Sequence, residues 1–190
     1  MPLADESCVE CRAQVKIEPA DATFFRETAC WRYPPPYDFY DRDQEPVKNP
    51  ERFFAVRHAG ALIGFYYFER KGDTLEYGLG LRPELTGRGF GEEFSRAGLE
   101  FGRARFRPKK IMLNVAAFND RAIKVYKRLG FHEVGRHIRN FKRWGPVEFV
   151  EMEERREAAT GDRGAAGRAL AWRSGAGSAG TPYRDYDDDG

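Results

Sequence analysis

Long apolar runs are missing from this 190-residue chain: the longest, Ala61 to Phe68, is far too short to cross a bilayer. An excess of one charge is missing as well, since 32 Lys and Arg stand against 30 Asp and Glu, a net charge of +2. That balance argues against a dedicated nucleic-acid binder, which concentrates basic residues on one face. Cysteine and histidine are scarce, three of each. Cys8 and Cys11 have the spacing of a zinc knuckle or a redox pair, but no second pair follows and Cys30 stands alone. A structural zinc site needs two further ligands, and His58, His132 and His137 fit no ligand pattern. No metal is therefore expected, and the thiols read as reduced surface groups. The N-terminus has Asp5, Glu6 and Glu10 where a signal peptide carries basic and apolar regions. A cytoplasmic chain with neither a membrane nor a nucleic-acid partner is the expectation.

What is present is aromatic: 15 Phe and 9 Tyr, enough for a real core in a chain long enough for one. The C-terminal stretch is different. Residues 155–190 are rich in Gly, Ala, Arg and Asp and hold almost no large aliphatic side chain except Leu170. Such a segment buries too little apolar surface to offset its ordering entropy, so it reads as a disordered tail. Residues 1–11 read as a flexible N-terminus and 12–154 as the folded domain.

Within that domain, Ala13 to Ile17 alternates as a short strand. Asp21 caps a helix over Ala22 to Trp31, which Pro34, Pro35 and Pro36 stop. Phe53 to Val56, Ala61 to Glu69 and Thr74 to Leu81 are β-rich runs separated by His58-Ala59-Gly60 and Gly72-Asp73, so three successive antiparallel strands are predicted. The period then changes. Phe90, Phe94, Ala97 and Phe101 share one face of a helix from Phe90 to Arg105. Ile111 to Val115 is a strand, Asn119 caps a helix carrying Ala122, Tyr126 and Leu129, and Gly130 ends it. Val134 to Ile138 and Val147 to Met152 close as two strands. The sum is a mixed α/β sheet with helices on its faces.

Between the third of those runs and the next helix lies Leu81-Arg82-Pro83-Glu84-Leu85-Thr86-Gly87-Arg88-Gly89-Phe90-Gly91. Glycines at alternate positions let the backbone approach a ligand closely. The amides there and in the first helical turn make a concave set of donors suited to a pyrophosphate, and Arg88 adds a charge. A Rossmann fingerprint is excluded, because its third glycine position holds Glu92, or Pro83 when counted from Gly78 and Gly80. A P-loop is excluded by the absence of Gly-Lys-Ser/Thr. A glycine-rich turn without a ligand is the plainer reading of the same residues.

The segment resembles the acetyl-CoA-binding signature of the GNAT superfamily, Arg/Gln-x-x-Gly-x-Gly/Ala, with Gly89 and Gly91 matching and Thr86 departing at the first position. A second stretch, Leu113 to Phe131, is similar to that superfamily's strand–helix pattern at Asn114, Val115, Asn119, Ala122, Tyr126, Gly130 and Phe131. Together the resemblance covers Val15 to Glu153. It implies a GNAT-like, mostly antiparallel sheet splayed between its fourth and fifth strands, with the pantetheine arm of acetyl-CoA lying in the gap. It implies an N-acetyltransferase that moves an acetyl group directly to a primary amine on a small molecule or peptide. Thr74 to Leu81 would be the fourth strand. Gly78 and Gly80, unusual in a strand interior, suit a bulge there, or else they simply relieve packing. The amide of Leu79 or Leu81 would meet the acetyl carbonyl. Thr86, Gly87, Arg88, Gly89, Phe90 and Gly91 would hold the pyrophosphate, and Asn119 the pantetheine arm.

An alkylamine with pKa near ~10.4 is almost wholly protonated at pH 7, so a base or water chain must take its proton. Glu76 is the candidate, against the alternative of an exposed strand carboxylate. Tyr126 matches the position of the acid that meets the departing thiolate, against the alternative of a core tyrosine. Trp31, Tyr33, Tyr37 and Asp38 lie where this superfamily builds its acceptor site, and aromatic faces beside carboxylates suit a cation. The basic run Arg103, Arg105, Arg107, Lys109 and Lys110 would meet the adenosine 3′-phosphate or a nucleic acid, or be a solvated face. A non-catalytic acyl-CoA-binding regulator is the rival reading, and a homodimer is left open.

Overall fold

A computed structural model describes residues 15–42 and 47–155. The expectations for the Cys8/Cys11 pair and for both chain ends lie outside the described residues. Strand β1 (Val15–Pro19) leads to Asp21, whose carboxylate accepts the Phe24 amide at 2.7 Å and opens helix α1 (Ala22–Ala29). α1 ends two residues before Trp31 because its last turn tightens: Cys30 and Trp31 donate to the carbonyls of Glu27 and Thr28, three residues back. Trp31 then stacks on Phe65, with ring centroids 6.0 Å apart.

β2 (Phe53–His58), β3 (Ala61–Lys71) and β4 (Thr74–Leu81) form the expected antiparallel meander. The chain continues through α2 (Phe90–Phe106), β5 (Lys110–Ala116), α3 (Asp120–Arg128), β6 (Phe131–Phe141) and β7 (Gly145–Glu154). The last two strands outrun their apolar cores, because hairpin pairing continues through polar residues from Phe131↔Glu154 to Phe141↔Gly145.

The sheet order is β1-β2-β3-β4-β5-β7-β6. Every pairing is antiparallel except β4 with β5, and that one lasts only for Thr74↔Lys110, Leu75↔Ile111 and Glu76↔Met112. Beyond Glu76 the two strands part, and β5 continues against β7 alone as far as Ala116↔Phe149. The predicted mixed sheet, splayed between its fourth and fifth strands, is the fold of this chain.

Alternation sends Leu75, Tyr77, Leu79 and Leu81 to the face that carries α2 and α3, where they join Phe94, Leu99, Val115, Ala122 and Tyr126 in the main core. α2 lies very close to the sheet: a Cβ on Gly98 would sit 2.4 Å from the Tyr77 hydroxyl. The opposite face carries two aromatic groups, one around α1 (Phe24, Phe53, Phe65, Tyr67) and one around Tyr33, Phe39, Phe141 and Phe149.

One expectation is corrected here. The β3–β4 register runs without a break from Gly64↔Leu81 to Lys71↔Thr74, so there is no bulge at Gly78 or Gly80. Gly80 is small for a packing reason, since a Cβ there would lie 2.3 Å from the Phe65 ring.

Candidate active site

The gap between β4 and β5 has one wall whose polar groups are still available. The Arg82 amide donates to Ile63 on β3 at 2.9 Å. By the two-residue alternation of a strand, the amides of Gly80 and Gly78 face β3 as well, while those of Leu79 and Leu81 face the gap. The Leu81 carbonyl bears this out, because it accepts the Tyr33 hydroxyl from the gap side at 2.8 Å. Burial, and then the charge of Asp41, hold that hydroxyl's pKa well above the usual phenol range, so Tyr33 remains a donor. Leu79 is thus the strand residue whose N–H and C=O are presented to an extended, amide-bearing ligand.

At the open end of the gap, β4 runs through Pro83–Leu85, a short 3₁₀ turn, into the glycine loop. Thr86 closes that turn, its hydroxyl donating to the Pro83 carbonyl at 2.8 Å. Gly87 and Gly89 have φ of +75° and +93°, a region that favours glycine. Gly89 is the N-cap of α2 and no side chain caps the helix, so the first-turn amides have no intrahelical partner and the positive end of the helix dipole opens onto the loop. Two acids in that turn work against an anion, but Glu92 is held by Arg128 at 2.7 Å and by Arg96 at 3.1 Å. The Arg128 hydrogen bond also keeps its carboxyl below the usual carboxylate range. Arg88 is exposed and makes no ion pair among the described residues. Phe90 and Gly91 are buried and anchor the helix start.

Asn119 is buried and caps α3, its Oδ1 accepting the Ala122 amide at 3.2 Å while its Nδ2 donates to the Tyr40 hydroxyl at 3.2 Å. Tyr126 lies about two turns further on, buried, with its ring 5.9 Å from that of Phe131. Its phenol is close enough to Tyr77 to help raise that hydroxyl's pKa, though burial is the larger cause. Glu76 is not an exposed strand carboxylate. It is 7% exposed at the level where β4 and β5 part, and accepts from Lys71 at 2.8 Å and from Asn114 at 3.0 Å.

Of the residues expected at the acceptor, Tyr33 and Tyr37 line a cleft with Pro34, Tyr40, Thr86, Asn119 and Arg121, joining the acceptor loop to the glycine loop. Trp31 stands over Phe65, and Asp38 is half-buried in the 3₁₀ turn Tyr37–Tyr40. Sequence reading missed Tyr40, Asn114 and Arg121 as parts of the site. Arg121 lies over the Tyr37 ring at 3.9 Å and donates to its hydroxyl at 2.9 Å, 84 positions away, so no local pattern announces it.

The basic run is placed elsewhere. It sits at the C-terminal end of α2, a helix of 17 residues and hence about 25 Å from the glycine loop. Arg103, Lys109 and Lys110 pair with Glu154, Asp73 and Glu153, and Arg105 lies 5.1 Å over Phe54. Three of the five side chains are thus ion-paired, at the far end of α2 from the glycine loop. Among the described residues there is no cluster of three or more His, Cys, Asp or Glu that could hold a metal, and no helix long and apolar enough to cross a membrane.

A sheet parted between parallel strands, with an uncapped helix start at the open end, offers room and backbone donors for an extended anionic ligand. The chain matches the acetyltransferase (GNAT) family model over residues 19–131, more than half its length. It belongs to the GNAT acetyltransferase family. Mycothiol acetyltransferase of Streptomyces coelicolor is 39% identical over 99 residues, which is 50% of this chain and 31% of that protein. The corresponding protein of Mycolicibacterium gilvum is 34% identical over 109 residues, 53% of this chain and 36% of that one. The chain thus spans about a third of the length of the curated relatives it matches. Among solved structures, a spermidine N-acetyltransferase chimera from Vibrio cholerae has a TM-score of 0.62 at 21% identity, covering 74% of this chain and 95% of that one. The Vibrio cholerae enzyme in complex with CoA and spermine has a TM-score of 0.60 at 21% identity, covering 74% and 94%. Likeness at that identity speaks to the fold.

Proposed function

We propose that this protein transfers the acetyl group of acetyl-CoA to a primary amine within one ternary complex. The observation that carries the reading is the parting of β4 from β5 beyond Glu76, with Leu79 facing the gap and the uncapped start of α2 at its mouth. Pantetheine, a chain of two amides, is matched to an unpaired strand edge. A pyrophosphate is matched to the amides of Gly87 through Gly91. Family membership, relatives bearing the name mycothiol acetyltransferase and a structural neighbour with bound CoA favour the same substrate.

In the reaction the amine nitrogen attacks the thioester carbonyl carbon, a C–N bond forms and the C–S bond breaks. The Leu79 amide faces the place where the carbonyl oxygen gains charge. The thiolate leaves with a proton shared from the Tyr126 phenol, the kind of weak acid that can share a proton with a departing thiolate. The proton of the new amide nitrogen passes to water and on to Glu76. That carboxylate has about four lone-pair positions and spends two on Lys71 and Asn114, leaving room for a water. The acceptor reaches the gap from the face opposite α2 and α3, past Trp31, Tyr33 and Tyr37. A polyamine, an amino sugar and a peptide amine all satisfy that description.

The test is a thiol-release screen with acetyl-CoA against a panel of amines, with acetyl-CoA binding followed by thermal shift. Release with at least one amine supports the reading. Stabilisation by acetyl-CoA without release for any amine would instead favour a regulator that has kept the fold.

A further inference from the structure

We propose that Asn114 seats the acceptor amine, by taking one of its N–H bonds on Oδ1; this rests on the acetyl-transfer reading above. Asn114 lies on β5, two residues beyond Met112, the last residue paired with β4. It is therefore the first residue of β5 to face the same side as Glu76 after the strands have parted. Its amide has one permitted orientation. Only the NH₂ end can face a carboxylate, and it donates to Glu76 Oε1 at 3.0 Å. Oδ1 must then point away from Glu76, and there it is buried with no hydrogen-bond partner. A buried carbonyl oxygen without a donor is rare in a folded protein, and one at a candidate site calls for the donor that binds there.

The surroundings select what that donor is. Had the β4–β5 register continued, Asn114 would face Gly78, which has no side chain, so the sheet surface beside it on β4 is bare. Across β7 its partner is Glu151, and Glu76 lies on the other side, so carboxylates flank the position on two strands. An uncharged acceptor group would gain nothing from them, whereas an amine arriving as its ammonium is drawn in. Lys71 already holds the far oxygen of Glu76 at 2.8 Å, which fixes the carboxylate and through it the Asn114 amide. Glu76 is thus also a positioning residue. Once the ammonium has lost a proton to water, one N–H rests on Oδ1 and the lone pair is left for the thioester carbon.

The experiment compares the parent and Asn114→Ala for amine KM, kcat and acetyl-CoA Kd. Losing a hydrogen bond to a buried site should raise the amine KM by about tenfold in Asn114→Ala, with acetyl-CoA Kd unchanged within about twofold. An unchanged amine KM in Asn114→Ala overturns the proposal. If the parent releases thiol with no amine at all, the acetyl-transfer reading itself has failed, which is a different result from an active parent indifferent to Asn114.

Discussion

Replacing Gly89 by valine separates the anion-facing loop from the rest of the molecule. Gly89 has φ +93° and ψ −10° at the start of α2, and a β-branched residue held there costs roughly 1–3 kcal/mol or moves the loop. The loop is at the surface, so the fold survives either outcome. What is lost is aim. Amides on either side of Gly89 are the proposed ligands of the pyrophosphate, and a hydrogen bond to a charged group contributes about 1.5–3 kcal/mol. Misaligning two of them should weaken acetyl-CoA by at least about a hundredfold. Backbone strain alone needs a control, and Gly60 supplies it: φ is +81° in the β2–β3 turn, and a Cβ there would meet nothing within 4 Å. Gly60→Val should lower the melting temperature by a similar amount and leave acetyl-CoA affinity intact. Calorimetric titration of both variants decides the matter. Gly89→Val binding acetyl-CoA within about threefold of the parent would refute the loop's assignment.

Two further outcomes concern the fold. Gly98→Ala should destabilise by about 1–2 kcal/mol, because overpacking against Tyr77 and Tyr66 outweighs a helix-propensity gain of about 1 kcal/mol; an unchanged urea midpoint would mean α2 shifts without cost. His137 has a pKa below the usual histidine value, first through burial and then through Arg139, so between the two values the unfolded chain binds more protons and stability rises with pH. His137→Gln should flatten that slope just below pH ~6.5, and a slope that persists in urea melts would assign it to another group.

The helix starts were legible because they are local. Asp21 and Asn119 cap their helices with their own side chains, within three residues, and such signals survive in a bare sequence. The meander was legible from its turns at Gly60 and Gly72. The parting of β4 from β5 was not: Leu75, Tyr77, Leu79 and Leu81 alternate evenly past the point where pairing stops, so only the family resemblance placed it. The bulge expected at Gly78 and Gly80 failed because a strand glycine has two causes, and for Gly80 the Phe65 ring is the operative one. The site's cross-links were invisible for a third reason. Tyr33 to Leu81 spans 48 positions and Asn114 to Glu76 spans 38, and such contacts exist only once the sheet has closed.

Tyr126 is where direct transfer is most exposed to contradiction. Tyr126→Phe keeps the ring and its packing under α3 against Phe131, so the fold should lose no more than a hydrogen bond, about 1 kcal/mol. Acetyl-CoA affinity should change little, because the glycine loop and the β4 edge are untouched. The measurement is kcat on the best amine from the screen, with acetyl-CoA Kd taken in parallel. A fall of ~10²–10⁴ in kcat at constant Kd is the predicted result. Turnover within about threefold of the parent would make Tyr126 a core residue and leave the departing thiolate to another group.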